Sequence, residues 1–269
     1  MLNPTRLIEL VVFDLYHSLS SMRNIIFILP YFLFWFIMLY SINAESINWL
    51  KSVAGLAAAS WLLGNQELAT SLIIERSAIL SLYLIVSIVI MPVFVMFVTN
   101  NPFSSHLANG TFRFISTRVS RNEIFFSRLL SSLLVISLCM LFTTVSATVI
   151  AAIHDESSLS QILLFAFQTW LILVIYSIPF IAFVACLSTI TRSGMGNLFL
   201  SITIYTVMVF IILGFYEDYE WITFILPSGV RPYLLDMTFN NLLITIGGLC
   251  IYSLIYGIVG WWRFNKQDI

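Results

Sequence analysis

Histidine and cysteine, the residues most often used for nucleophilic and metal chemistry, are few in this sequence. There are three of each: His17, His106, His154, Cys139, Cys186 and Cys250. None has the spacing of a metal site, and no histidine is paired with a serine or cysteine inside an apolar run, as nucleophilic catalysis there would need. The cysteines lie in apolar runs, which is typical of inert packing residues. The sequence therefore predicts no metal site and no catalytic residue.

Two further features bear on enzymatic chemistry. His154-Asp155-Glu156 is the one cluster of histidine and acidic residues, and short loops of this kind are usually only solvated. The sequence has no Gly-Lys-Ser or Gly-Lys-Thr phosphate loop. We therefore expect the chain not to be an enzyme and to hold no cofactor of its own.

The composition explains why such residues are rare. Of 269 residues, 60% are hydrophobic and only 9% are charged, whereas soluble domains carry about 25% charged residues. So few charges could not cover the surface of a water-soluble fold. The net charge of −1 gives no basic field for nucleic acid. The composition predicts an all-α integral membrane protein.

Apolar runs of about 20 residues, the length that crosses a bilayer as a helix, identify the spans. Six are predicted, at 24–42, 79–99, 124–153, 159–190, 195–215 and 241–262. Pro179 lies in the fourth, where a kink or tilt accommodates the extra length. We expect one transmembrane domain over 1–269.

The basic residues give the orientation. Nine of the twelve fall on the side that holds both chain ends, and only Lys51, Arg76 and Arg231 fall on the other. The positive-inside rule therefore predicts two cytoplasmic termini. A short, unfused chain of this kind favours the prokaryotic inner membrane.

Two segments outside the spans are predicted to lie on the membrane. Residues 1–22 have the pattern of an amphipathic interfacial helix that begins at Asn3-Pro4, with Asp14 on its polar side. Residues 46–76 are apolar but interrupted at Gly64-Asn65-Gln66-Glu67, and are predicted to be an external helical segment.

No ionisable residue lies near the middle of a predicted span. Ion-coupled carriers usually place such residues inside the bundle. A bundle of this kind is either passive or driven by something attached to its cytoplasmic face.

The longest and most basic cytoplasmic connection is the segment 100–123. Asn109-Gly110 is a turn signal within it, and Ser120 with Glu123 forms a capping box ahead of the third span. A basic loop that contacts anionic lipid headgroups would have the same composition.

This segment resembles the type-2 ABC exporter permeases, in which a Gly-Thr and a short apolar stretch precede a Ser-Arg and an acidic residue at the third span. The matching residues are Gly110-Thr111-Phe112-Arg113-Phe114-Ile115-Ser116, Val119-Ser120-Arg121-Asn122-Glu123-Ile124 and Arg128. The six-span plan and the interfacial N-terminal helix are also similar. The family often has acidic residues just before the Gly-Thr, where this chain has His106 and Asn109.

The resemblance implies a coupling helix that docks on a separate ATP-hydrolysing subunit. The residues implied to couple the two subunits are His106, Asn109, Gly110, Thr111, Phe112, Arg113 and Ile115. Two ATPase copies, which hold the ATP and Mg²⁺, would pair with two copies of this permease or with a similar second permease. ATP-driven closure would then move the spans.

The outer segment 216–240 precedes the last span and is predicted to be re-entrant-like, because its two prolines and Gly229 cannot continue one helix. We expect Pro227, Gly229, Arg231 and Pro232 to form an outer gate. Simple anchoring at the membrane surface by Trp221, Phe224 and Tyr233 would explain the same composition. An uncharged interior favours an amphipathic peptide, a lipid or a drug as substrate.

Two other classes of function stay open at this point. A polytopic membrane enzyme would need an ionisable cluster near one membrane surface. A membrane assembly factor without transport activity would have no ATPase partner.

Overall fold

The computed structural model describes residues 4–100, 103, 119–155, 158–191, 193–215, 219–236 and 238–266. All regular secondary structure in these ranges is helical. The prediction of an all-α chain is confirmed for this part of the protein.

The chain begins with two helices, α1 (Pro4–Ser20) and α2 (Met22–Tyr40), followed by three short ones. These are α3 (Ala44–Lys51), α4 (Val53–Leu63) and α5 (Gln66–Ile74). The long helices are α6 (Ala78–Val98), α7 (Arg121–His154), α8 (Leu159–Ser188), α9 (Gly194–Phe215) and α11 (Phe239–Lys266). Between α9 and α11 lie two 3-10 helices, Glu220–Ile225 and Pro227–Val230, and the short α10 (Arg231–Leu235).

Five of these helices, α6, α7, α8, α9 and α11, are long and apolar enough to cross a membrane. This is compatible with a multi-pass membrane protein, and the five agree with the predicted spans from 79–99 onward. The pair α1 and α2 passes the same criterion only as one bent unit, with a 69° angle at the break, and would then be a sixth span.

Consecutive long helices run in opposite directions, so the bundle has two chemically distinct ends. Arg121 of α7 donates from Nη1 to the backbone oxygen of Asn265 near the end of α11, at 2.9 Å. At the other end, Ser77 before α6 donates to the carboxylate of Asp155 after α7. We call these the basic end and the acidic end, after the charges that each carries.

Aromatic rings and hydroxyl groups join α2, α6 and α7 inside the bundle. Tyr31 stacks on Phe94 with 3.8 Å between ring centroids. The hydroxyl of Tyr83 pairs with Thr143 Oγ1 at 2.8 Å and accepts from Thr144 Oγ1 at 3.1 Å. Hydrogen bonds of this kind satisfy polar groups that lipid could not. Through them α2 packs along α6 from the basic end towards the acidic end.

The segment predicted as an external helix over 46–76 consists of α3, α4 and α5. A glycine in the left-handed conformation, Gly64 with φ 72°, ends α4. Ala69, Leu72 and Ile73 of α5 are buried at or below 1% exposure, against the start of α6. The segment is therefore three short helices that form a packed cap on the acidic end.

Pro179 does not interrupt α8, which runs unbroken from Leu159 to Ser188. A proline inside a helix has no N–H to donate to the carbonyl four residues earlier. The carbonyl of Ile175 therefore lacks its intrahelical hydrogen bond.

We predict that Tyr83→Phe lowers the free energy of unfolding by about 1–2 kcal/mol, because the hydroxyls of Thr143 and Thr144 lose a buried partner. Thermal unfolding of the purified chain in detergent measures the change. Tyr16→Phe removes a hydroxyl from a tyrosine that is 74% exposed and should leave the midpoint unchanged. Equal midpoints for the two variants would contradict the prediction.

Candidate functional site

The seven predicted coupling residues, His106, Asn109, Gly110, Thr111, Phe112, Arg113 and Ile115, lie outside the described residues. The structure does describe the two attachment points of that segment. One is at Asn100 and Phe103, after α6, and the other is at Val119 and Ser120, before α7.

At the first attachment point, Phe103 is fully buried among side chains from three helices. Its ring lies 5.3 Å from that of Phe125 in α7 and 5.1 Å from that of Phe264 in α11, measured between centroids. Ala185 of α8 and Ile124 complete the group. We call these five residues the root cluster. It brings α7, α8 and α11 into contact with the segment 100–123.

Polar contacts tie further elements to the same place. Asn197 of α9, which is 0% exposed, donates from Nδ2 to the backbone oxygen of Asn100 at 2.7 Å. The indole N–H of Trp261 in α11 donates to Asn122 Oδ1 at 2.8 Å. The ends of α6, α7, α8, α9 and α11 therefore meet where the predicted coupling segment joins the bundle.

The second attachment point is fixed by the predicted capping box, which is confirmed. The backbone N–H of Glu123 donates to Ser120 Oγ at 3.3 Å, and the backbone N–H of Ser120 donates to Glu123 Oε2 at 2.9 Å. Helix α7 begins at Arg121. The capping box therefore starts the helix immediately after Ser120, inside the last residues of the predicted segment 100–123.

The prediction that Asp14 lies on the polar side of the N-terminal helix is wrong. Its side chain is 5% exposed and forms an ion pair with Arg128 of α7, with 3.2 Å between Oδ2 and Nε. Burial raises the pKa of the Asp14 carboxyl above its ordinary value, while Arg128 and His17 act against that rise. Arg128 lies near the start of the third predicted span, where a charged side chain needs a partner, and that need is the signal that could have identified the pair.

On the acidic end, the structure places all four predicted gate residues in one compact turn. Pro227 is buried at the start of the second 3-10 helix, and Arg231 and Pro232 begin α10. Gly229 lies where this turn touches the first 3-10 helix. A Cβ at Gly229 would lie 2.2 Å from the backbone oxygen of Thr223. Only glycine permits this approach.

This turn is packed against the long helices rather than extended over their ends. Tyr252, near the middle of α11, donates from its hydroxyl to the backbone oxygen of Phe224. Val230 of this turn lies beside Gly248 of α11. A Cβ added at Gly248 would be 3.6 Å from Val230 Cγ1. Asp236 accepts from Asn241 and closes the turn onto the start of α11.

Arg231 is the basic residue of this turn. Its Nε donates to the backbone oxygen of Ser228 at 3.1 Å. It also lies close enough to the phenols of Tyr176 in α8 and Tyr205 in α9 to interact electrostatically with both. This contact was not predicted, because Arg231 belongs to a turn between the spans and hydropathy does not show how far such a turn enters the bundle.

Among the described residues, the other side chains that could carry out chemistry are not brought together. His154 ends α7, and Asp155 binds Ser77. Within the described ranges, no three His, Cys, Asp or Glu residues are grouped so that they could hold a metal ion. Glu156 lies outside those ranges.

A separate apolar cavity of about 730 Å³ lies between α7, α8 and α11, towards the basic end. Leu133, Ile178 and Leu249 line it, and Leu7 of α1 contributes to one side. Its lining suits hydrocarbon chains rather than polar molecules.

In the ranges that the structure describes, the fold is all-helical and compatible with a multi-pass membrane protein. The chain belongs to the family described as "Protein of unknown function (DUF2705)", which matches residues 73–269. The match includes α6 to α11 and therefore both attachment points and the turn that carries Arg231. No curated protein matches the chain.

We predict that Asp14→Ala lowers the free energy of unfolding by about 3–5 kcal/mol, because it leaves the charge of Arg128 buried without a partner. Glu9→Ala removes an exposed acid from the same helix and should change stability by no more than about 0.5 kcal/mol. Chemical denaturation in detergent gives both values. The double variant Asp14→Leu with Arg128→Met should recover most of the loss, and failure to do so would argue against the ion pair as the cause.

Replacing Gly229 by alanine should displace the first 3-10 helix and destabilise the protein by about 1–3 kcal/mol, since the new methyl group would overlap the backbone of Thr223. Gly247→Ala in α11 is the control, because a Cβ there meets no atom within 4 Å. Thermal unfolding compares the two variants. A Gly229→Ala midpoint equal to that of Gly247→Ala would rule out the close approach.

Proposed function

We propose that the chain is the transmembrane subunit of an ATP-binding-cassette exporter, in which the segment 100–123 receives motion from a separate ATPase. The observation that carries the proposal is the convergence at the root cluster. Five long helices meet where that segment joins the bundle. A displacement of Phe103 or Ser120 would therefore act on several helices at once.

The geometry suits transmission of force because both attachment points are rigid. Phe103 has no exposed surface, and the capping box anchors Ser120 to the first turn of α7. Close-packed interiors move as units rather than deforming continuously. Closure of two ATPase copies under a pair of permeases would tilt α7, α8 and α11 together.

The source of energy lies outside this chain in the proposal. The sequence has no Gly-Lys-Ser/Thr phosphate loop, so the ATP and Mg²⁺ would be held by the partner ATPase. The resemblance at Gly110 to Ser116 and at Val119 to Ile124 gives the class of that partner.

The proposed topology has six spans, with α2 as the first. In this arrangement α1 lies in the cytoplasmic interface, clamped to α7 by the Asp14–Arg128 pair, and both termini are cytoplasmic. The turn from Glu220 to Leu235 is re-entrant and forms the outer gate. Its contacts with Tyr252 and Gly248 of α11 support this assignment.

The proposed substrate is amphipathic, such as a peptide, a lipid or a drug. The long helices present many exposed apolar side chains, among them Phe210 and Leu213 of α9. A molecule with a hydrocarbon part could move along such surfaces, whereas a bare ion would find few ligands there.

The proposal predicts that the tagged chain, purified in a mild detergent from its native membrane, carries an ABC-type ATPase with it. Mass spectrometry of the purified sample identifies the partner, and vanadate-sensitive ATP hydrolysis confirms that it is active. A chain that purifies without an ATPase would favour an assembly role, and turnover by the chain alone would favour an enzyme.

Within that complex, Arg113→Ala should weaken the association with the ATPase by about tenfold, as loss of a central interface residue does. Lys51→Ala is the matched control, because Lys51 is an exposed cation far along the chain from the coupling segment. Titration of the ATPase against the two variants measures the difference. Equal affinities would refute the assignment of the coupling segment.

A further inference from the structure

The guanidinium of Arg231 lies closer to the middle of the bundle than is usual for a residue of a turn that connects two long helices. It interacts with Tyr176, which is near the middle of α8, and with Tyr205, which is near the middle of α9. The neighbouring Val230 and Phe224 contact α11 at Gly248 and Tyr252. Three long helices thus hold the turn at a level where a membrane would supply no water.

The charge of Arg231 has no acidic counterpart among the side chains that the structure describes. Its Nε donates to the backbone oxygen of Ser228 at 3.1 Å, and its side chain also lies within reach of the Tyr176 hydroxyl. The side chain is half-buried. A charged group inside a membrane is costly and almost always faces a partner or a water-filled path. An anion is the partner that would best offset this cost.

The groups around Arg231 are suited to an anion. The hydroxyl of Tyr176 is fully buried and makes no hydrogen bond of normal geometry among the described residues, although the Arg231 guanidinium lies beside it. An unmade hydrogen bond at a buried hydroxyl is rare, since it costs free energy that water would otherwise supply. Tyr205 adds a second phenol beside the guanidinium. Two hydroxyl donors and the fork of an arginine match the oxygens of a carboxylate, phosphate or sulfate.

The surroundings of the site are apolar. Leu226, Val230 and Leu234 of the same turn are buried at 5% exposure or less. A ligand there would place a charged head at Arg231 and a hydrocarbon part among the helices. A small inorganic anion would satisfy the charge but leave the apolar surroundings without a partner.

We propose that Arg231, Tyr176 and Tyr205 form a binding site for the anionic headgroup of an amphipathic molecule. The identification of this molecule as the exported substrate rests on the proposed function. The existence of the binding site does not rest on it. The shared chemistry is one anionic group on a hydrocarbon chain, which either a bilayer phospholipid or a separate amphiphile could supply.

Binding of dodecyl phosphate to the full chain in phosphatidylcholine nanodiscs tests the site. Arg231→Gln should weaken binding by about tenfold or more, and Tyr176→Phe by about threefold, as expected for loss of charge-assisted and neutral hydrogen bonds. Lys51→Gln and Tyr233→Phe are the matched controls, with exposed side chains, and should bind as the wild type does. Dodecyltrimethylammonium, with the same chain and the opposite charge, should show no dependence on Arg231.

A second arm separates the two sources of the anion. If the occupant is a phospholipid, extraction of the purified wild type should yield a retained anionic phospholipid that Arg231→Gln lacks. If it is a separate amphiphile, wild type and variant should retain the same lipids, and phosphatidylglycerol nanodiscs should leave dodecyl phosphate binding unchanged.

The proposal would be overturned by two results together. Tyr176→Phe would bind dodecyl phosphate as tightly as the wild type, and Arg231→Gln would bind it as tightly as Lys51→Gln. Should Arg231→Gln unfold, Arg231→Lys keeps the charge without the fork, and its binding should still be weaker than that of the wild type. All these measurements use the chain without an ATPase. A failure of the anion site and a failure of the proposed exporter function can therefore be distinguished.

Discussion

The arrangement of the basic end depends on the ion pair between Asp14 and Arg128. Neither charge could stay in its buried position alone, because removing an ion from water costs several kcal/mol that only a close partner offsets. The pair fixes α1 against the first turns of α7. Those turns also carry Asn122 and Phe125, which contact Trp261 and Phe264 of α11. The position of α1 and the closure of the bundle at this end are therefore set by the same stretch of α7.

Much of the fold could be predicted from the sequence because a bilayer constrains helix length and composition strongly. The starts and ends of α6 to α9 lie within three residues of the predicted spans, and Ser120 with Glu123 located the start of α7. Asp14 was misplaced because helical periodicity assigns an acid to the polar side unless its partner is known. The depth of Arg231 was missed for a related reason. Hydropathy identifies a turn rich in proline and glycine but contains no information on how far that turn enters the bundle.

Helix α8 connects the two regions of interest. Ala185 lies in the root cluster near its end, and Tyr176 lies beside Arg231 near its middle. The two residues belong to one unbroken helix, so a change of its tilt at the basic end changes the position of the Tyr176 hydroxyl relative to Arg231. A displacement of the root cluster and the binding of an anion at Arg231 would thus be coupled through α8. Reciprocal linkage between two sites requires at least one such structural connection.

The missing hydrogen bond at Pro179 has a consequence for that coupling. Pro179 lies between Tyr176 and Ala185, and the helix there is held by one bond fewer than its neighbouring turns. Bending stiffness along α8 is therefore lowest in the interval that separates the two sites. In the proposed mechanism the helix would respond to load at one end by changing its curvature as well as its tilt, and the elasticity of this one interval would set the size of the movement at Tyr176.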